Sequence, residues 1–214
     1  MPNVEISTGD LLALLRERRS IRRYQAAPVH EDMIGQMLEA ARWAPSANNS
    51  QPWRFIVVRD PVIREQIAQS TTYVGEPRVR LNESPVLIVL CGVEDHAYHA
   101  FLQGDVAMAA LQMMLQAKAL GLGTCWVGGL DREAIAGLLR VPDPLEVVCL
   151  LTVGYPTETP EPPPRKPLDE IVHYELYGRG EEGEAVLPGV PVQAPPGQWE
   201  RFVNWLRRLF GRPA

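Results

Sequence analysis

The stretch from about Tyr98 to Leu120 constrains this chain most. Phe101, Leu102, Val106, Met108, Ala109, Leu111, Met113, Met114 and Leu115 give a helix there apolar residues on most of its faces. Such a helix has to be buried on most sides, so other elements must close around it. In a chain of 214 residues some of that cover can come from a second subunit. Gly121 and Gly123 supply its stop signal.

The remaining elements follow from periodicity. Residues 54–59 (RFIVVR), 86–93, 124–127 and 146–155 (EVVCLLTVGY) read as strands. Helices are predicted over Gly9–Arg19, with Leu11, Leu12, Leu14 and Leu15 on the buried side, over Glu31–Trp43, over Pro61–Ser70 and after an Asp131 cap to Arg140. Strands alternating with helices give a layered α/β or α+β domain over residues 1–178. Pro156–Pro167 holds six prolines and reads as a stiff, extended connector. Residues 179–198 read as a Pro/Gly/Glu-rich linker, and 199–214 as an amphipathic C-terminal helix with Trp199, Phe202, Val203, Leu206, Leu209 and Phe210 on one face. That helix most readily packs on its own or a partner subunit; its basic face makes contact with a membrane surface a weaker alternative.

Several function classes fall away. A net charge of -5 and a pI near 5.5 argue against a nucleic-acid partner. The N-terminus lacks a charged start followed by an apolar run, so cytoplasm is the expected location. Cys91, Cys125 and Cys149 read as buried, reduced thiols. No metal site is expected, because His96 and His99 lack carboxylate partners nearby. The chain carries no HExxH, GxSxG or GxxxxGK pattern, and no carboxylate pair stands out as an acid/base couple. Any redox chemistry then belongs to a bound cofactor.

Two kinds of segment suit such a ligand. Ala44–Trp53 (APSANNSQPW) is rich in turn-forming Pro, Ser and Asn and should form a rigid loop between a helix and a strand. Arg18, Arg19, Ser20 and Arg22 crowd the end of the first helix, and Arg165 with Lys166 sits in the proline-rich segment, so either could clamp a phosphate. Residues 71–83 read as a lid or binding loop.

ERRSIRRY at 17–24, ARWAPSANNSQPWRFIVV at 41–58, ALGLGTCWVGG at 119–129 and VGYPTETPEPPPRKPLDEIVHYE at 153–175 together resemble the FMN-dependent nitroreductase family, collinearly over about residues 10–177. The resemblance implies an α+β three-layer sandwich with a mixed central sheet flanked by helices, and an obligate homodimer with the long central helix in the interface. It implies that Arg18, Arg19 and Ser20 hold the FMN phosphate and ribityl chain, and that Arg165 returns to the phosphate. Lys166 stands beside it, and Pro163 replaces a lysine that many members carry. Arg22 falls where the family puts a cation near flavin N1 and O2, favouring hydride acceptance. Pro45, Ser46, Ala47, Asn49 and Gln51 would line the isoalloxazine, partly from the second subunit. Gly128 and Gly129 would offer amides to the N5 and O4 edge.

The activity implied is transfer of a hydride from NADH or NADPH through flavin N5 to a small organic acceptor, such as a nitroaromatic or quinone, in a ping-pong scheme. No protein side chain is expected to be catalytic. Tyr73, Glu76, Arg78 and Arg80 of the lid would select the acceptor. Two alternatives stand beside this: a specialised flavin enzyme of the same fold, such as a dehalogenase or dehydrogenase, and a flavin-binding regulatory or interaction module.

Overall fold

The computed structural model describes residues 8–71, 81–93 and 98–180. Contacts divide the chain into two units, 1–162 and 163–214. In the first, helices α1 (Thr8–Glu17), α2 (Glu31–Arg42), α3 (Pro61–Gln69), α4 (Leu102–Ala119) and α5 (Arg132–Leu139) surround strands β1 (Trp53–Val58), β2 (Val86–Val93), β3 (Gly123–Val127) and β4 (Leu145–Gly154). Each strand and helix lies within about two residues of its expected bounds, a normal uncertainty for element ends, except that α4 begins at Leu102 rather than Tyr98, after a tighter turn at His99–Phe101.

The four strands form one sheet in the order β1-β2-β4-β3, and every pair is antiparallel. The parallel pairing expected of a mixed sheet is reduced to one bridge, Ser20 with Thr124, at the β3 edge. β2 and β4 are central and apolar on both faces, as strands covered twice must be. Alternation divides β2 between two cores. Ile88 and Leu90 meet Ile34, Met37, Val106, Ala109 and Met113 of α2 and α4, whereas Leu87, Val89 and Cys91 meet Ile67 and Ile135 of α3 and α5. The three-layer expectation therefore holds. Each fully buried Leu or Ile contributes about 2 kcal/mol of transfer free energy.

Local chemistry sets the helix starts. The Asp60 carboxylate accepts the Val62 and Ile63 amides at 2.8 and 3.1 Å, and Pro61 occupies the first turn. His30, isolated in sequence, caps α2 through its Nδ1, which accepts the Asp32 amide at 3.3 Å. Asp131 caps α5 as expected.

One further expectation needs correction. The leucines of α1 are not a buried side: Leu11, Leu12 and Leu15 are 50%, 45% and 44% exposed. Periodicity reveals an apolar face but not what covers it. The proline-rich segment begins bonded to the chain around Tyr24. Pro156 bridges Tyr24, and the Thr157 amide bonds the Arg23 carbonyl at 3.1 Å.

In the second unit, residues 163–180 include a turn at Leu168–Glu170 and an edge-to-face pair of His173 and Tyr177 with centroids 4.3 Å apart. The lid residues Tyr73, Glu76, Arg78 and Arg80, the linker beyond Gly180 and the helix at 199–210 lie outside the described residues. Among those described, the three cysteines are free and buried, no group of side chains could hold a metal, and no helix is long and apolar enough to cross a membrane.

Candidate cofactor site

The arginine-rich segment after α1 becomes a strap across the β3 edge. The Ile21 amide bonds the Thr124 carbonyl at 2.9 Å, and the Gln25 amide bonds the Tyr155 carbonyl at 2.9 Å. Glycines permit this approach. A Cβ at Gly123 would lie 2.7 Å from Ile21, and one at Gly154 would lie 2.7 Å from Pro85 and 2.9 Å from Tyr24.

Beneath the strap runs a buried polar line. The Tyr24 hydroxyl bonds the Ile21 carbonyl and lies 2.5 Å from Thr152 Oγ1, which also accepts the Cys125 amide at 3.1 Å. Burial pushes the Tyr24 phenol well above its ordinary range. Burial also raises the Cys125 thiol, although Arg22, a hydrogen bond from Ser20, and Arg18 pull the other way.

Above this line Arg18, Arg19, Ser20 and Arg22 are half-buried. Arg19 donates to the carbonyls of Arg16 (2.5 Å) and Arg18 (2.7 Å), and its buried Nε has no hydrogen-bond partner among the described residues. The Arg22 guanidinium makes a single hydrogen bond among them, to the Ser20 carbonyl at 3.2 Å. Such donors, held by backbone and without a carboxylate partner among the described residues, suit an anionic ligand. Gly128 and Gly129 follow β3 directly, and a Cβ at Gly128 would meet only the Trp126 indole within 4 Å.

The second half of the site is the loop before β1. Asn48, Asn49 and Gln51 all have positive φ (50°, 55° and 47°), the left-handed region that non-glycine residues enter at a cost. The loop is held by side chains. The Ala47 amide is bonded to both oxygens of Asp105 (3.1 and 3.2 Å), the Gln51 amide to Ser46 Oγ (3.0 Å), and Asn48 Nδ2 to the Tyr98 hydroxyl (2.8 Å). Asp105 is 3% exposed in the first turn of α4. Pro45, Asn49 and Gln51 are exposed, with Ser46 and Ala47 half-buried. The Ala47 amide is therefore engaged by Asp105 and its carbonyl accepts the Ser50 amide at 3.0 Å, which leaves its methyl to line a ligand.

One chain does not bring these halves together. The loop joins β1 where Trp53 faces Gly92 and Gly92 faces Glu146, whereas the strap crosses where Gly123 faces Gly154. Those points lie about 27 Å apart along β4, and three strand spacings, about 14 Å, separate the two edges. Helix α4 gives an independent measure. Asp105 holds the loop near one end, and near the other Lys118 pairs at 3.3 Å with Glu17, next to the arginine cluster. The two anchor points are about 20 Å apart along the helix. Arg165 and Lys166 belong to the second unit, in the irregular stretch before its turn.

Sequence reasoning missed Tyr24, Thr152, Glu158 and Asp105. Only Asp105 left a usable signal, as the one acid in a helix that is apolar on most of its faces.

Comparison with known proteins agrees with this architecture. The nitroreductase family model matches residues 15–73 and 73–155. An NADH dehydrogenase of Thermus thermophilus is 32% identical, the match covering 73% of this chain and 91% of that protein. A 5,6-dimethylbenzimidazole synthase of Rhodospirillum rubrum is also 32% identical, over 68% of this chain and 82% of its own length. The structure of an FMN-dependent nitroreductase from Clostridium difficile superposes with a TM-score of 0.67 at 28% identity, covering 77% of this chain and 98% of the other. The family model spans well over half of the sequence and the same fold recurs in the solved relative, so this chain belongs to the nitroreductase family.

Proposed function

We propose that this chain is a homodimeric, FMN-dependent oxidoreductase that carries reducing equivalents from NADH or NADPH to a small organic acceptor such as a nitroaromatic or a quinone. The observation that carries this reading is the separation of strap and loop at opposite corners of one chain. A two-fold pairing along α4 brings the loop of one copy to the strap of the other, giving two equal composite sites. Exposed apolar residues on the same layer supply the contact: Phe101 and Leu111 of the α4 region are 54% and 46% exposed, beside Leu11, Leu12 and Leu15 of α1. The names of an NADH dehydrogenase and of an FMN-dependent nitroreductase among the relatives support the chemistry.

The residues present fit FMN. Among the described residues Arg19 offers a buried Nε without a partner and Arg22 a guanidinium with one hydrogen bond, and Gly128 has no side chain to keep a ligand from its backbone. Arg18, Arg19 and Ser20 would hold the phosphate and ribityl chain. Arg22 would keep a positive charge beside the pyrimidine edge of the ring and favour its reduced, anionic form. Asn49, Gln51, Pro45 and Ser46 would orient the ring from the partner copy, and Gly128 and Gly129 would donate main-chain amides. Bound FMN itself supplies the two-electron chemistry that no side chain here can.

Anaerobic absorbance titration tests this reading. Flavin bands that bleach with NADH or NADPH and recover with a nitroaromatic or quinone are the expected result; protein that neither holds nor takes up FMN overturns it. The relative named for 5,6-dimethylbenzimidazole synthesis favours one second reading, a specialised flavin reaction, signalled by bleaching that no such acceptor reverses. Complementation tests the composite site. Purified heterodimers of Arg22→Ala and Gln51→Ala chains regain about half of the sites if each site is built from two copies, and none if each lies within one chain.

A further inference from the structure

The segment following β4 runs beside the strap and contributes one charged group to it. Glu158 Oε1 accepts the Arg22 amide at 2.5 Å and the Arg23 amide at 3.2 Å, across 136 and 135 positions of sequence. Hydrogen bonds from amides to a carboxylate are about twice as strong as neutral ones. The flanking main-chain bonds, Thr157 to Arg23 and Gln25 to Tyr155, fix the same register. The carboxylate forms no ion pair with the Arg22 guanidinium, whose single hydrogen bond among the described residues is to the Ser20 carbonyl. It grips the main chain of Arg22 and leaves the cationic head for a ligand. Its charge also lies close enough to share an electrostatic environment with Arg22, since both act on the Tyr24 phenol, in opposite directions.

We propose that Glu158 is the positioning residue of the arginine strap: it locks the Arg22 and Arg23 amides so that the Arg22 guanidinium projects to the flavin, and its negative charge tempers that cation and lowers the flavin's reduction potential. The second half of this inference rests on the FMN reading above; the first half does not. Two variants separate geometry from charge. Glu158→Gln keeps a carbonyl oxygen to accept the amides but removes the charge, whereas Glu158→Ala removes both.

The first measurement is amide hydrogen exchange of residues 20–25 in full-length protein freed of flavin. Exchange accelerates on the order of tenfold in Glu158→Ala and less in Glu158→Gln, as expected when charge-assisted bonds open. Unchanged protection in both overturns the proposal, and Glu158→Gln suffices if the alanine variant does not fold. The second is FMN titration followed by potentiometry. Glu158→Ala weakens FMN binding roughly tenfold, a loss of about one hydrogen bond to a charged group. Glu158→Gln, whose side-chain oxygen still accepts the amides, shifts the midpoint potential upward, which a purely structural role would not do. A potential that stays put in Glu158→Gln overturns the electrostatic half. Wild-type protein that takes up no FMN while its strap still responds in exchange sinks the flavin reading and leaves the lock standing.

Discussion

The strap at Ser20–Gln25 and the loop at Ala44–Gln51 serve one proposed ligand but are made rigid by opposite means. The strap has ordinary backbone and is held from outside, by main-chain bonds to Thr124, Tyr155 and Thr157, by Glu158, and by the Tyr24–Thr152 contact below. The loop is held largely from within: three left-handed residues turn it, the Ser46 side chain closes it onto Gln51, and Asp105 and Tyr98 tether it to the start of α4. A strap of this kind depends on the sheet behind it, and a loop of that kind stores strain that its tethers must offset. The two should therefore fail independently.

Gly123→Ala should give the largest effect, and only in the strap. The new methyl would sit 2.7–2.8 Å from Ile21 Cγ1, Cβ and Cγ2, atoms too close to the main chain to swing aside. Forcing a carbon into such a contact costs about 3 kcal/mol. Urea unfolding should show that loss, with hydrogen exchange raised over 20–25 and unchanged over 44–51. In an Ile21→Ala background the same substitution should cost much less, because the clash is gone. A full penalty in that background would mean that something other than strap packing is disturbed.

Asp105→Leu is the counterpart in the loop. It leaves the half-buried Ala47 amide without its acceptor, a loss of about 2 kcal/mol. Exchange over 44–51 should rise while the strap stays protected, and Asp105→Asn, which keeps an acceptor oxygen, should recover most of the difference. Loosening of the strap by Asp105→Leu would break the comparison and show the two ends of α4 to be coupled.

This contrast also explains what could be read from sequence. The loop was legible because Pro, Ser and Asn declare their backbone preferences locally, and its main internal bond spans five residues. β2 was read at its observed bounds because a continuous apolar run between turn residues is a local signal. The strap was legible only as a charge cluster. Its partners lie 128 positions away in Thr152 and 136 in Glu158, and nothing in the spacing of either residue announces the pairing. Strand order and the antiparallel pairing throughout were hidden for the same reason. The leucines of α1 show the converse limit: their spacing was read correctly as an apolar stripe, but whether that stripe meets this chain or a second copy is not encoded in the stripe itself.

The smallest effect at neutral pH becomes visible under alkaline conditions. Tyr24, in the strap, is a buried phenol whose folded-state pKa lies above its ordinary value of 10.0, chiefly because burial disfavours the anion. Below pH 10 the phenol is protonated in both folded and unfolded chains, and its contribution to stability is fully present. As pH rises past 10 the unfolded chain ionises first, so that stability is progressively lost toward the folded-state pKa. The loop residues 44–51 include no titratable side chain. Exchange measured from pH 9 upward, corrected for the intrinsic base dependence, should therefore open residues 20–25 before 44–51. Tyr24→Phe should remove that early opening, at the expense of roughly 1 kcal/mol at neutral pH for the lost hydroxyl contacts. Simultaneous opening of both segments in wild-type protein would mean that the phenol is not what holds the strap, and would shift that role to the main-chain bonds and Glu158.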